Sequence, residues 1–306
     1  MSILIIKSAL ELGIIYAILA LGSFISYRTL NFPDLTVEGS FTLGAAVSVM
    51  VTINGDPYVS LVVAFFAGCI AGSLTALLNT KFKIQPLLAG ILMMLALYSI
   101  NLKVMGNKAN VNLINQKTVY SVFENTTLGK YDTLIFASIM LVLILVLLFL
   151  FLKTKYGFVL RATGDNPNMV RALGANTDLA IVVGLALSNG LVALSGALIA
   201  QEQLYADASM GIGMVVIGLA SVIIGEGIFG TSKLMRRLIA VVLGAIIYRM
   251  VIAIVLELGM PTADLKLISA IIVAIALAMP VLKENISLYR KKRARYNRIG
   301  NKGGKA

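Results

Sequence analysis

Among 306 residues there is no histidine, no tryptophan, a single cysteine and only six prolines. The missing histidine excludes Ser-His and Cys-His hydrolysis, HExxH zinc chemistry and imidazole proton relays. The lone Cys69 lies in the apolar run Val62–Leu78, so no disulfide forms within the chain. No GxxxxGK[ST] phosphate loop occurs, which removes the usual ATP site from this polypeptide. Charge is scarce as well: Asp, Glu, Lys and Arg make up 13% of the chain, against about 25% in a soluble domain. Tryptophan is normally enriched at membrane interfaces. Avoidance under tryptophan scarcity and chance composition explain its absence equally well.

What is present is apolar surface. Hydrophobic residues form 59% of the chain and mean hydropathy is +0.93. One protein core cannot bury that much, so lipid must be the solvent for a large part of it. At about 20 residues per crossing, the sequence predicts an all-α membrane protein, a polytopic helical bundle of about nine spans. They fall near 3–26, 36–53, 57–79, 84–105, 133–152, 178–201, 211–229, 238–257 and 264–282. Turn chemistry separates them at Asn54-Gly55-Asp56-Pro57, Gly129-Lys130-Tyr131-Asp132 and Gly259-Met260-Pro261. The stretch Met1–Leu10 lacks a basic region followed by a small-residue cleavage site, and is expected to remain as part of the first span.

The net charge of +12 does not point to nucleic acid, because the basic residues sit in short loops and in the tail. If the tail after Leu282 is cytoplasmic, alternation places 19 of the 26 basic residues on that side. The other side receives Asp56, Glu124, Asp132, Glu202, Asp207, Glu257 and Asp264. This orientation puts the N-terminus outside. Residues 30–40 (LNFPDLTVEGS) read either as a cytoplasmic turn or as a broken segment dipping into the membrane. Residues 1–282 thus form one membrane domain, with a cytoplasmic loop at 153–177 and a basic cytoplasmic tail at 283–306. The polar, Asn-rich segment 106–132 is long enough to make a small external cap.

The cytoplasmic loop contains a short helix with both ends written in its sequence. Asp165 or Asn166 can N-cap it, and Pro167 suits its first position. Gly174 can take the left-handed conformation that stops it. Met169, Val170 and Leu173 give it an apolar stripe. A helix this short is not stable alone in water, so it must be held by the spans and packed on something.

Polar residues inside spans usually face a cavity or a partner, and broken helices at matching places in two halves mark a transport pathway. The candidates are Asp34, Thr36 and Glu38 early, Asn189 in the sixth span, Glu226 late, and Arg249 in the eighth. Glu38-Gly39 and Glu226-Gly227 stand out as a matched pair of acids beside glycines. The plainer alternative sets both at a cytoplasmic edge, with Glu226 paired to Lys233 or Arg236. Arg249 can meet a substrate carboxylate or pair with Glu257 or Glu202. Asn189, like Ser188, Gln201, Asn101 and Asn79, can equally bond between helices.

The segment Gly157-x3-Arg161-Ala162-x-Gly164-Asp165-Asn166-Pro167-x4-Ala172-x-Gly174-x-Asn176 resembles the coupling loop of ATP-binding cassette (ABC) importer permeases of the branched-chain amino acid and ribose group. Residues 31–44 (NFPDLTVEGSFTLG) and 218–230 (GLASVIIGEGIFG) are similar to that family's early and Gly-rich late segments. Glu38 is an inserted acid relative to the sugar-type Asp-Leu-Ser-Val-Gly pattern, and Glu226 stands in a glycine run usually free of charge.

The resemblance implies a permease subunit in a bacterial cytoplasmic membrane, moving a small, amino-acid-like polar solute and having no enzyme activity of its own. It implies a second permease copy and two ATP-binding subunits that carry ATP and Mg, with no cofactor on this chain. An extracytoplasmic substrate-binding protein would complete the assembly. Gly164, Asp165, Asn166, Pro167, Met169, Val170, Leu173 and Gly174 would couple to the ATPase. On this reading Asp165→Lys or Gly164→Pro leaves the fold intact and uncouples hydrolysis from uptake.

Two other classes compete. An ion-coupled secondary transporter needs mid-depth carboxylates, for which Glu38, Glu226 and Glu257 are the candidates. An intramembrane aspartyl protease needs a Tyr-Asp pair and a GxGD motif; Tyr131-Asp132 is present and GxGD is not.

Overall fold

The computed structural model describes residues 3–123, 131–259, 267–274 and 278. The described residues up to 259 form ten α-helices: α1 (Ile3–Ser23), α2 (Thr36–Asn54), α3 (Pro57–Thr80), α4 (Pro86–Val104), α5 (Asp132–Lys153), α6 (Lys155–Asp165), α7 (Pro167–Ala172), α8 (Thr177–Gln203), α9 (Met214–Phe229) and α10 (Leu234–Glu257). Seven of the described helices are long and apolar enough to cross a membrane, and α9 is a shorter apolar helix of 16 residues. Helical residues 267–274 start the ninth expected span, the rest of which lies largely outside the described residues. Ile268 and Val273 pack there with Tyr248, Ile252, Ala220 and Ile224 on α9 and α10.

Helix starts follow local chemistry. Asp56 accepts a hydrogen bond from the Tyr58 N–H at 2.8 Å, with Pro57 at the first position of α3. Asn176 caps α8 in the same way through the Leu179 N–H at 3.0 Å. No long helix carries a strong polar face, because burial here is set by neighbours and lipid rather than by water. α2 and α8 are the most enclosed spans, whereas α3, α4 and α5 turn rows of Val, Leu, Ile and Phe outward.

Small residues bring α2, α3 and α8 together. A Cβ added at Gly44 would overlap the Ala193 carbonyl, and at Gly196 the Phe41 carbonyl. Gly68 and Gly72 on α3 meet Asn189 and Leu185 on α8 just as closely. In lipid, where no hydrophobic force joins helices, such close backbone approach is a main source of association.

The two ends of the bundle differ in charge. Arg28, Arg161, Asp165 and Arg237 surround one cavity at the end bearing α6 and α7. At the opposite end β1 (Asn110–Asn112) pairs antiparallel with β2 (Tyr205–Asp207), close to the 3-10 turn Val119–Phe123. This strand pair and turn form the cap expected from segment 106–132, of which residues 124–130 lie outside the description.

Candidate functional site

Two chain segments turn back into the bundle. The first follows α1, whose end widens into a π-helical turn over Phe24–Thr29. Asn31 then takes a left-handed φ of 52°, and the chain reverses. Phe32 and Asp34 are buried, and Tyr27 donates its hydroxyl to the Asp34 carbonyl at 3.0 Å. Residues 30–36 therefore turn inward into the bundle. Asp34 accepts from the Thr36 N–H at 2.9 Å and from Asn189 Nδ2 at 2.7 Å. Asn189 Oδ1 in turn accepts from Ser40 at 2.7 Å, and Thr36 bonds Thr75 at 2.8 Å. Asp34, Thr36 and Asn189 thus form one fully buried network joining α2, α3 and α8.

The second inward segment follows β2. Asp207 accepts from the hydroxyl and N–H of Ser209, and these bonds hold its carboxyl below the usual aspartate range. Residues 208–213 then pass into the bundle, and Gly213, with a φ of +90°, opens α9. Its N–H donates to Glu38 Oε1 at 2.9 Å, and a Cβ at Gly211 would overlap the Glu38 carbonyl. The expected span 211–229 is accordingly shorter than drawn, because its first residues are a glycine-rich non-helical entry.

Glu226 is not Glu38's partner in space. It stands at the far end of α9, about 20 Å along the helix from Gly213 at 1.5 Å per residue. There its two oxygens accept from Arg28 Nε at 2.8 Å and Arg237 Nε at 2.6 Å. The pairing joins α1, α9 and α10 at one end, with Arg28 and Arg237 in place of Lys233 or Arg236. Arg249 lies over the Tyr16 ring at 4.5 Å, with Glu202 within reach of its field. It also lines a cavity of about 490 Å³ between α1 and α10, together with Ser8, Glu257 and apolar side chains.

In the cytoplasmic loop, Asn166 rather than Asp165 caps α7, accepting from the Met169 N–H at 3.1 Å. Gly174 takes a φ of +80° just beyond the helix, as its sequence position predicts. Val170 is buried, whereas Met169 and Leu173 are 49% and 77% exposed. Arg171 ties α7 to the start of α8, donating to Thr177 Oγ1 at 2.7 Å and pairing with Asp178 at 3.3 Å.

Ahead of α7, residues Lys155–Asp165 form α6, a helix not expected from the sequence. Thr154 caps it, and Gly164 sits within it so close to the Thr29 carbonyl that a Cβ would overlap. Gly164→Pro therefore cannot leave the fold intact, and Asp165→Lys is the cleaner probe.

A bundle of apolar helices, with two inward-turning segments meeting at a carboxylate and a capped helix projecting from one end, defines a multi-spanning membrane transport protein. The chain belongs to the branched-chain amino acid transport system permease component family, which matches residues 5–278. It is 40% identical over 284 residues to the tyrosine transport system permease protein of Clostridioides difficile, covering 92% of this chain and 93% of that one. An uncharacterised protein of Rickettsia prowazekii is 36% identical over 278 residues, with 90% and 97% covered. A probable branched-chain amino acid transport permease, LivH, of Methanocaldococcus jannaschii is 28% identical, with 72% and 74% covered. No solved structure matches the chain.

Proposed function

We propose that this chain is the transmembrane subunit of an ATP-binding cassette importer for an amino-acid-like solute, with tyrosine the first to test. The family match and the tyrosine-transport relative support the solute class. The single observation that carries the coupling role is the geometry of α7. Its inner residue, Val170, anchors it, while Met169 and Leu173 present an apolar edge to the outside. A six-residue helix so mounted needs a partner to cover that edge, and a groove on an ATP-binding subunit fits.

In this reading two copies of the chain enclose the pathway, and two ATP-binding subunits with ATP and Mg lie beneath. An extracytoplasmic binding protein delivers the solute, in a bacterial cytoplasmic membrane. Nine crossings put the N-terminus outside and the basic tail in the cytoplasm.

Closure of the ATPases moves α7 as a rigid piece, and two contacts pass the motion on. Arg171 pulls on the start of α8, which carries Asn189 and hence Asp34. Gly164 pushes on Thr29, next to the Arg28–Glu226 pair. The pathway runs past Glu38, with the buried Asp34, Thr36 and Asn189 network behind it.

Asp165→Lys tests this. Asp165 makes no cap bond, so the variant should fold and assemble, hydrolyse ATP, and lose most substrate uptake. Uptake at the unaltered rate would refute the coupling role.

A further inference from the structure

We propose that Glu38 is the receptor for the ammonium group of the transported solute. This rests on the importer reading above and gives it a specificity-determining residue. Glu38 lies in the first turn of α2, bonded to the start of α9. The other end of α9 is fixed by Arg28 and Arg237, two guanidiniums at the membrane edge. Thirteen residues of helix separate the two, so the Glu38 carboxylate stands about 20 Å in from that edge, within a hydrocarbon layer about 30 Å thick.

A carboxylate at that depth cannot face acyl chains; it must face protein or a water-filled cavity. Glu38 is neither enclosed nor ion-paired among the described residues. Its side is only half-buried. Oε1 takes the Gly213 N–H, and no described group donates to Oε2. Next to it, Ile212 is 58% exposed and Val216 38% exposed. The surface so formed offers one fixed negative charge with a free acceptor and apolar side chains around it. A primary ammonium carried on an apolar body complements both features. A neutral sugar complements neither.

The Gly213 bond also fixes the carboxylate's aim. A helix N-terminus favours negative charge, so the start of α9 orients the Glu38 carboxylate with no described cationic side chain paired to it. Asp34 has no such freedom, since Thr36 and Asn189 occupy it in a fully buried network.

Glu38→Gln separates recognition from structure. The amide oxygen still accepts from Gly213 at nearly the same shape, while the charge is gone. The assembled complex is reconstituted with its binding protein, and ATP-driven uptake of L-tyrosine is measured beside the melting temperature of the complex. We expect an unchanged melting temperature and uptake lower by roughly tenfold or more, the worth of one charge-assisted hydrogen bond. Glu38→Asp should recover part of the loss. Uptake by Glu38→Gln within twofold of wild type would overturn the proposal and leave Glu38 as a cap for α9. So would a loss that tracks a lowered melting temperature and that Glu38→Asp does not relieve. A wild-type complex that moves no amino acid under ATP would instead refute the importer reading, and the ammonium receptor with it.

Discussion

Gly44 shows how little room single positions leave. Its α-carbon faces the Ala193 carbonyl of α8, and even one methyl group would enter that oxygen's space. Backbone cannot rotate aside as a side chain would. Gly44→Val should therefore separate α2 from α8 and lower the melting temperature of the detergent-solubilised protein by on the order of 5 °C or more. A melting temperature equal to wild type would contradict the close approach. The buried network around Asp34 is equally constrained, because each polar atom there exchanged water for a protein partner. Sequence identified Asp34, Thr36, Glu38 and Asn189 as polar residues in apolar surroundings. It could not reveal that Glu38 alone among them keeps an oxygen without a donor among the described residues.

At the scale of elements, the long spans were legible because each is an apolar run of membrane length bounded by turn residues, as at Asp56-Pro57 and Gln85-Pro86. The cap and stop of α7 were legible for the same local reasons. α6 was not, since its residues 155–165 look polar and loop-like, and its helix depends on packing Leu160 near Gly184 of α8 and Gly164 against Thr29. The entry to α9 was missed too, although Gly211 and Gly213 were a signal that the span breaks there.

Least legible was the ion cluster, whose partners Arg28 and Glu226 lie 198 residues apart. It joins three helices through one carboxylate, which yields a quantitative expectation. Glu226→Gln should destabilise the protein by about 1–3 kcal/mol, as for a partly buried charged hydrogen bond. Arg28→Ala added to that variant should cost less than it does in the wild type, since the pair is already broken. Strict additivity across the double-mutant cycle would mean that Arg28 and Glu226 do not interact.

For the whole molecule, the separation of charge and polarity sets out a direction. Arginines gather where α6 and α7 project, and a two-stranded cap with Asp207 closes the other end. Between them, two inward segments meet near mid-depth at Glu38 and Gly213. The chain supplies a half-buried carboxylate and a projecting helix, and its sequence holds no GxxxxGK[ST] phosphate loop. On the importer reading, energy arrives from another polypeptide through α7. Purification of the tagged chain from its native membrane, with co-purifying proteins identified by mass, tests this directly. The expected result is a stoichiometric partner bearing a phosphate loop, lost when Met169 and Leu173 are both replaced by Asp. A chain that purifies alone, and moves amino acids in vesicles under an ion gradient without ATP, would contradict it and establish an ion-coupled transporter instead.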